Sequence, residues 1–208
     1  MKTATVLVVE DHFLMRIALH GLLETMPEYE IVGESTSGQD AVTLYRELQP
    51  SIVIMDLRLN GSSGFEAIQS IIKSYPRAKI LALSTLQGSE DIHRAIDCGA
   101  RGYVTKDTDA QELTNALRIV LAGGYYIPKS LQVRLDERLP GNDVTPREKM
   151  IIELLAQGLS TAEVAASIHI AEKTVRIHIG NILEKLGARD RTQALMIALE
   201  RGIIHLRS

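Results

Sequence analysis

Short unbroken apolar runs alternate with longer amphipathic stretches through the first 123 residues. Thr5–Val9 (TVLVV) is β-branched and does not alternate, the mark of a strand buried on both faces. Ile31–Gly33, Ile52–Met55, Lys79–Leu83 and Gly102–Thr105 read as four more strands. Between them apolar residues recur three and four apart: Leu14, Ile17, Ala18 and Leu22; Ala41, Leu44, Tyr45 and Leu48; Phe65, Ile68, Ile71 and Ile72; Ile92, Ala95 and Ile96; Leu113, Leu117, Val120 and Leu121. This is the helical period. Five βα units predict an α/β fold, a doubly wound five-stranded parallel sheet over residues 1–123.

Gly123-Gly124 ends the last of these helices, and Tyr125-Tyr126-Ile127-Pro128 cannot continue it. Residues 124–143 read as a linker, with a possible short helix over 129–138 and a turn cluster at Pro140-Gly141-Asn142-Asp143. From 144 to 208 the pattern is helical only, a small all-α domain of four helices. Thr145-Pro146-Arg147-Glu148 and Ser160-Thr161-Ala162-Glu163 are capping boxes that open the first two. The first carries Met150, Ile151, Leu154 and Leu155 and stops at Gly158. The third begins near Ala171-Glu172 and stops at Gly187; the fourth begins at Asp190. The second and third, joined by a short turn, have helix-turn-helix layout.

Charge separates the halves. The net charge of −3 divides into 11 basic against 16 acidic residues over 1–123 and 9 against 7 over 144–208, which suggests different partners for the two domains. The longest apolar run, Ala194–Leu199, is far short of the roughly 20 residues that span a bilayer. The N-terminus lacks the layout of a signal peptide, so the expected location is the cytoplasm. The single Cys98 cannot form an internal disulfide and reads as a helix residue.

Ligands of open parallel sheets sit at the carboxyl ends of the strands. Glu10 and Asp11 follow the first strand, Asp56 the third, Ser84 the fourth and Lys106 the fifth. Clustered carboxylates repel one another, and a hard cation such as Mg²⁺ relieves that repulsion. An Asp carboxylate can also accept a phosphoryl group, given positive charge around the transferred oxygens.

Val8-Val9-Glu10-Asp11-His12, Ile54-Met55-Asp56-Leu57, Ala82-Leu83-Ser84 and Gly102-Tyr103-Val104-Thr105-Lys106 resemble the flavodoxin-like receiver domain of response regulators over residues 4–122. The resemblance implies that Asp56 accepts phosphate from a sensor histidine kinase. It implies that Asp11, Asp56 and the backbone carbonyl of Arg58 bind Mg²⁺, with Glu10 acting through water. Ser84 and Lys106 would contact the phosphoryl group, and Tyr103 would turn inward as the switch aromatic. Asn60 and Asp107 stand where family members often have Pro, and the first change is expected to loosen the loop beside the site.

The third helix of the second domain turns Lys173, Thr174, Arg176, Ile177 and Gly180 away from its apolar residues. Glu172-Lys173-Thr174-Val175-Arg176-Ile177-His178, with Gly158-Leu159-Ser160-Thr161 and Ile182-Leu183-Glu184-Lys185-Leu186-Gly187, resembles the LuxR-type helix-turn-helix over 144–204. Together the halves are similar to the NarL/FixJ type of response regulator. By that resemblance Lys173, Thr174 and Lys185 touch phosphates, while Arg176, Ile177 and Gly180 occupy base-reading positions in double-stranded DNA. Family members often carry a long polar side chain where Gly180 stands.

The expected function is a phosphorylation-dependent transcription regulator, not a dedicated enzyme beyond slow self-dephosphorylation. Phosphate on Asp56 would convert a closed form into a DNA-binding homodimer. Three alternatives are weighed against this. A haloacid-type phosphatase wants a second acid where Arg58 stands. A receiver that only binds a protein partner has no use for 144–208. A regulator that ignores phosphate would not need Glu10, Asp11, Asp56 and Lys106 together.

Overall fold

The computed structural model describes residues 3–136 and 144–205. The chain divides into two compact units, Met1–Leu86 with Ile92–Gln132, and Gln87–Asp91 with Val133–Ser208. In the first unit, strands β1 (Ala4–Val9), β2 (Tyr29–Ser35), β3 (Ile52–Asp56), β4 (Ile80–Ser84) and β5 (Gly102–Thr105) form one sheet in the order β2-β1-β3-β4-β5. Every pairing is parallel, so all five carboxyl ends lie on one edge. Val6–Val9 and all of β3, β4 and β5 are buried, as a sheet covered on both faces requires.

Helices α1 (Phe13–Glu24), α2 (Gly38–Leu48), α3 (Gly64–Ser74), α4 (Ser89–Asp97) and α5 (Ala110–Leu121) flank the sheet. Leu19 and Leu23 of α1 join Leu113, Ala116, Leu117 and Val120 of α5 against Val6, Val8, Ile54 and Leu83. Ser37 caps α2 and Asp109 caps α5, each accepting from the amide three residues on.

The face of α1 differs from the sequence expectation. Leu14 and Ile17 are 67% and 52% exposed, beside Phe13 at 62%, while Leu19 and Leu23 are buried. The helix carries apolar residues on two ridges, and helical periodicity alone does not say which one faces the sheet.

The chain after α5 does not leave the sheet at once. Tyr126 forms a parallel bridge with Gly102, accepting from the Tyr103 amide at 2.9 Å and donating to the Arg101 carbonyl at 3.0 Å. Helix α6 (Lys129–Asp136) follows. The turn cluster expected at 140–143 lies outside the described residues.

In the second unit, α7 (Pro146–Ala156), α8 (Thr161–Ser167), α9 (Glu172–Leu186) and α10 (Arg191–Glu200) enclose a core of Ile151, Ile152, Leu155, Val164, Val175, Ile182, Leu186, Ala194 and Ala198. Both capping boxes form, at Thr145/Glu148 and Ser160/Glu163. Gly187 takes the left-handed conformation at φ 65° that ends α9. Met150, expected on the apolar face of α7, is 44% exposed, and Ile152 is buried in its stead. Among the described residues no helix is long and apolar enough to cross a membrane.

Candidate functional site

The carboxyl edge of the sheet brings Glu10, Asp11 and Asp56 together. One carboxylate oxygen from each lies within 4.8 Å of the others. Glu10 is fully buried, and Asp56 is 1% exposed. Lys106 Nζ donates to Glu10 Oε1 at 2.8 Å and to Asp56 Oδ2 at 2.7 Å. The Arg58 amide donates to Asp56 Oδ1 at 3.0 Å, and the His12 amide to Glu10 Oε1 at 2.9 Å. Burial raises the Asp56 carboxyl above the usual carboxylate range, helped by Glu10 and opposed by Lys106 and the Arg58 amide. Burial works against the Lys106 ammonium, but Asp56 and Glu10 outweigh it and raise its pKa.

The donor set suits a hard divalent cation. Among the described residues Glu10 Oε2 is buried with no hydrogen-bond partner, and the cluster offers oxygen ligands only. Ser84 and Tyr103 lie where the sequence places them, at the end of β4 and within β5. The Ser84 hydroxyl accepts from the Leu86 amide at 3.1 Å. Tyr103 is fully buried and donates its hydroxyl to the Leu86 carbonyl at 2.7 Å, so the aromatic already points inward.

The loop after Asp56 is not loose. Arg58–Leu59 and Ser62–Ser63 pair as a two-residue antiparallel ladder, turned through Asn60 and through Gly61 at φ 74°. The Asn60 amide donates to Asp11 Oδ2 at 2.8 Å, a bond that Pro at this position could not make. The substitution therefore ties the loop to the acidic cluster, contrary to the sequence expectation.

On α9, Lys173, Arg176, Ile177 and Gly180 are all exposed and share one stripe, with Thr174 half-buried beside them. Arg176 pairs with Glu172 at 2.5 Å in an exposed i,i+4 contact, which contributes little and yields readily to a stronger anion. A Cβ at Gly180 would meet nothing within 4 Å among the described residues. Lys185 lies apart from this stripe in its bonding: its Nζ donates to Glu148 at 2.7 Å, and Glu148 is 3% exposed. Burial pushes the Glu148 carboxyl up, but Lys185 and the amide and hydroxyl of Thr145 outweigh it, leaving a net fall below the usual range.

This pair staples α7 to α9. Lys185→Met is expected to destabilise the helical unit by about 3 kcal/mol, because it takes the cation from a buried carboxylate and leaves it only the Thr145 bonds. A carboxyl depressed on folding contributes stability above its unfolded pKa and loses it as pH falls through the folded value. Urea unfolding of wild type should therefore show stability falling below about pH 4, with a weaker slope in Lys185→Met. Equal unfolding midpoints at pH 7 would remove the structural role of the pair.

Residues 6–118 match the response regulator receiver domain, and residues 142–198 match the bacterial regulatory proteins of the luxR family. The chain is 36% identical to the response regulator protein VraR of Staphylococcus epidermidis over 204 residues, 96% of this chain and 98% of that protein. It belongs to the LuxR-family response regulators.

A solved LuxR-family two-component response regulator from Aurantimonas sp. SI85-9A1 is 38% identical to this regulator, with a TM-score of 0.63 over 65% of this chain and 97% of that one. RcsB from Salmonella enterica serovar Typhimurium, solved bound to a promoter with a phosphomimetic, superposes with a TM-score of 0.73 over 97% of this chain and 100% of that one. At 22% identity that likeness concerns the fold. The regulator thus joins a receiver domain to a LuxR-type DNA-binding domain, the organisation of a transcription regulator. Three contributions at its acidic site were assigned no role from the sequence: the amides of His12 and Asn60, and Arg16, whose Nη1 donates to the Glu10 carbonyl at 2.9 Å. Backbone donors leave no trace in side-chain spacing, and Arg16 reads in sequence as an ordinary helix residue.

Proposed function

We propose that the regulator is switched by phosphorylation of Asp56, with a sensor histidine kinase as donor. The observation that carries this reading is the bonding of one ammonium, Lys106, to both Glu10 and Asp56 beside a buried carboxylate oxygen that has no partner. An Asp56 oxygen attacks phosphorus, the bond to the donor's imidazole nitrogen breaks, and the imidazole leaves with the electron pair. Asp11, Asp56 and the Arg58 carbonyl would hold Mg²⁺ directly and Glu10 through water; the ion would supply positive charge to the phosphoryl oxygens. Lys106 exchanges its bond to the Asp56 carboxylate for one to the phosphoryl group, and the Ser84 hydroxyl donates to another of its oxygens. Slow hydrolysis of the acyl phosphate returns the site to rest.

In this reading residues 1–123 are the receiver, 124–143 the linker and 144–208 the DNA-binding domain, acting in the cytoplasm. Ser84 and Tyr103 report the phosphate, and a closed form gives way to a homodimer on paired DNA half-sites. Lys173 and Thr174 hold phosphates, while Arg176 and Ile177 face the bases, with Gly180 leaving one base position without a side chain. Lys185 is the weakest of the proposed phosphate contacts, since its ammonium is bonded to Glu148. Sedimentation with and without beryllofluoride and Mg²⁺ tests the switch. A shift from monomer to dimer is expected, and a monomer under both conditions would contradict it.

A further inference from the structure

The main chain of Glu10 is held from two sides. Its amide donates to the Ser35 carbonyl at the end of β2 at 2.9 Å. Its carbonyl accepts from Arg16 Nη1 at 2.9 Å. Arg16 lies one turn into α1, where its own amide donates to the His12 carbonyl at 3.0 Å. The guanidinium is in turn oriented by Glu34, whose Oε2 lies 3.4 Å from Nε. The other oxygen of Glu34 lies 2.9 Å from His20 Nε2. Arg16 thus ties the carboxyl end of β1, the start of α1 and the end of β2 to one planar fork.

We propose that Arg16 is a positioning residue of the acidic site: by fixing the Glu10 carbonyl it holds the loop that carries Asp11, so that the carboxylates stand preassembled for a divalent cation. A charge-assisted bond to a carbonyl is roughly twice as strong as a neutral one. Among the described residues the carboxylates of the loop after β1 are held by the His12 amide and Lys106 on Glu10 and by the Asn60 amide on Asp11, and the Arg16 bond is the side-chain tie to the loop's main chain. Lysine is not equivalent, because a single ammonium cannot reproduce the fixed spread of guanidinium donors that reaches the Glu10 carbonyl and Glu34 at once. Arg16 and Glu34 line an open cavity of about 430 Å³ with Ser35, Thr36 and Asp40, so shortening the side chain leaves no apolar void.

The inference rests on the reading of the acidic cluster as a Mg²⁺ and phospho-acceptor site, and the test separates the two. Mg²⁺ alone is titrated into the unphosphorylated full-length protein, with the midpoint read from amide chemical shifts of residues 10–12 and 56–60. Thermal unfolding without Mg²⁺ is measured alongside. Residues that orient metal ligands typically change affinity by 10–100-fold, so Arg16→Gln is expected to raise the midpoint about tenfold, and Glu34→Gln, which leaves the arginine but not its orienting charge, about threefold. Arg16→Lys should fall between wild type and Arg16→Gln. Melting temperatures should stay close to wild type. Unchanged midpoints in Arg16→Gln and Glu34→Gln, with wild type saturating, overturn the role of Arg16 alone. A lowered melting temperature in Arg16→Gln, with Glu34→Gln titrating like wild type, also overturns it, since the arginine then only stabilises the fold. A wild type that shows no saturable response to Mg²⁺ sinks the metal-site reading itself.

Discussion

Asp56→Asn is expected to abolish formation of an acid-stable, base-labile acyl phosphate when the protein is incubated with a small phosphodonor and Mg²⁺. The amide keeps the shape of the carboxylate but offers no oxygen that can form a mixed anhydride. The fold should survive. Lys106 keeps its 2.8 Å bond to Glu10, and the substitution removes one of three clustered negative charges. Asp11→Ala should behave differently, raising the Mg²⁺ needed for labelling while leaving the nucleophile intact. Label that persists in Asp56→Asn would place the phosphate on another residue.

Lys173→Ala and Arg176→Ala are expected to weaken DNA binding in different ways. Lys173 lies at the start of α9, which in the proposed complex would approach the backbone of the duplex, and an ammonium on a phosphate carries no sequence information. Its loss should weaken specific and random duplexes alike and reduce the salt slope by about one unit. Arg176 lies one turn in, exposed and opposite the buried Val175 and Ile182. Among the described residues its partner is the exposed Glu172, so its fork is available for a guanine edge, a contact that discriminates by about 1–3 kcal/mol. Arg176→Ala should lose specific binding preferentially. Isotherms over a salt series for one operator and one scrambled duplex decide the matter, and equal losses on both duplexes would make Arg176 a phosphate contact.

The sheet was legible because buried parallel strands leave continuous β-branched runs, and β5 begins and ends at Gly102 and Thr105 as its sequence predicts. The acidic cluster was legible because a parallel sheet gathers its strand ends, which brings Glu10, Asp11, Asp56 and Lys106 to one edge. What stayed hidden has physical causes. The two apolar ridges of α1 give the same helical period, so burial of Leu19 and Leu23 over Leu14 and Ile17 was settled only by packing on the sheet. The bond from Asn60 to Asp11 uses a backbone amide, which every residue but Pro carries. Lys185 and Glu148 are 37 residues apart, and their pairing depends on how α9 crosses α7.

The central claim is that phosphate on Asp56 governs DNA binding by this regulator. Footprinting of its operator with and without a phosphodonor and Mg²⁺, for wild type and Asp56→Asn side by side, tests it most directly. The account predicts that the donor extends wild-type protection across two half-sites at lower protein concentration and changes nothing for Asp56→Asn. Identical protection by wild type with and without the donor, under conditions in which Asp56 is shown to be labelled, would contradict it.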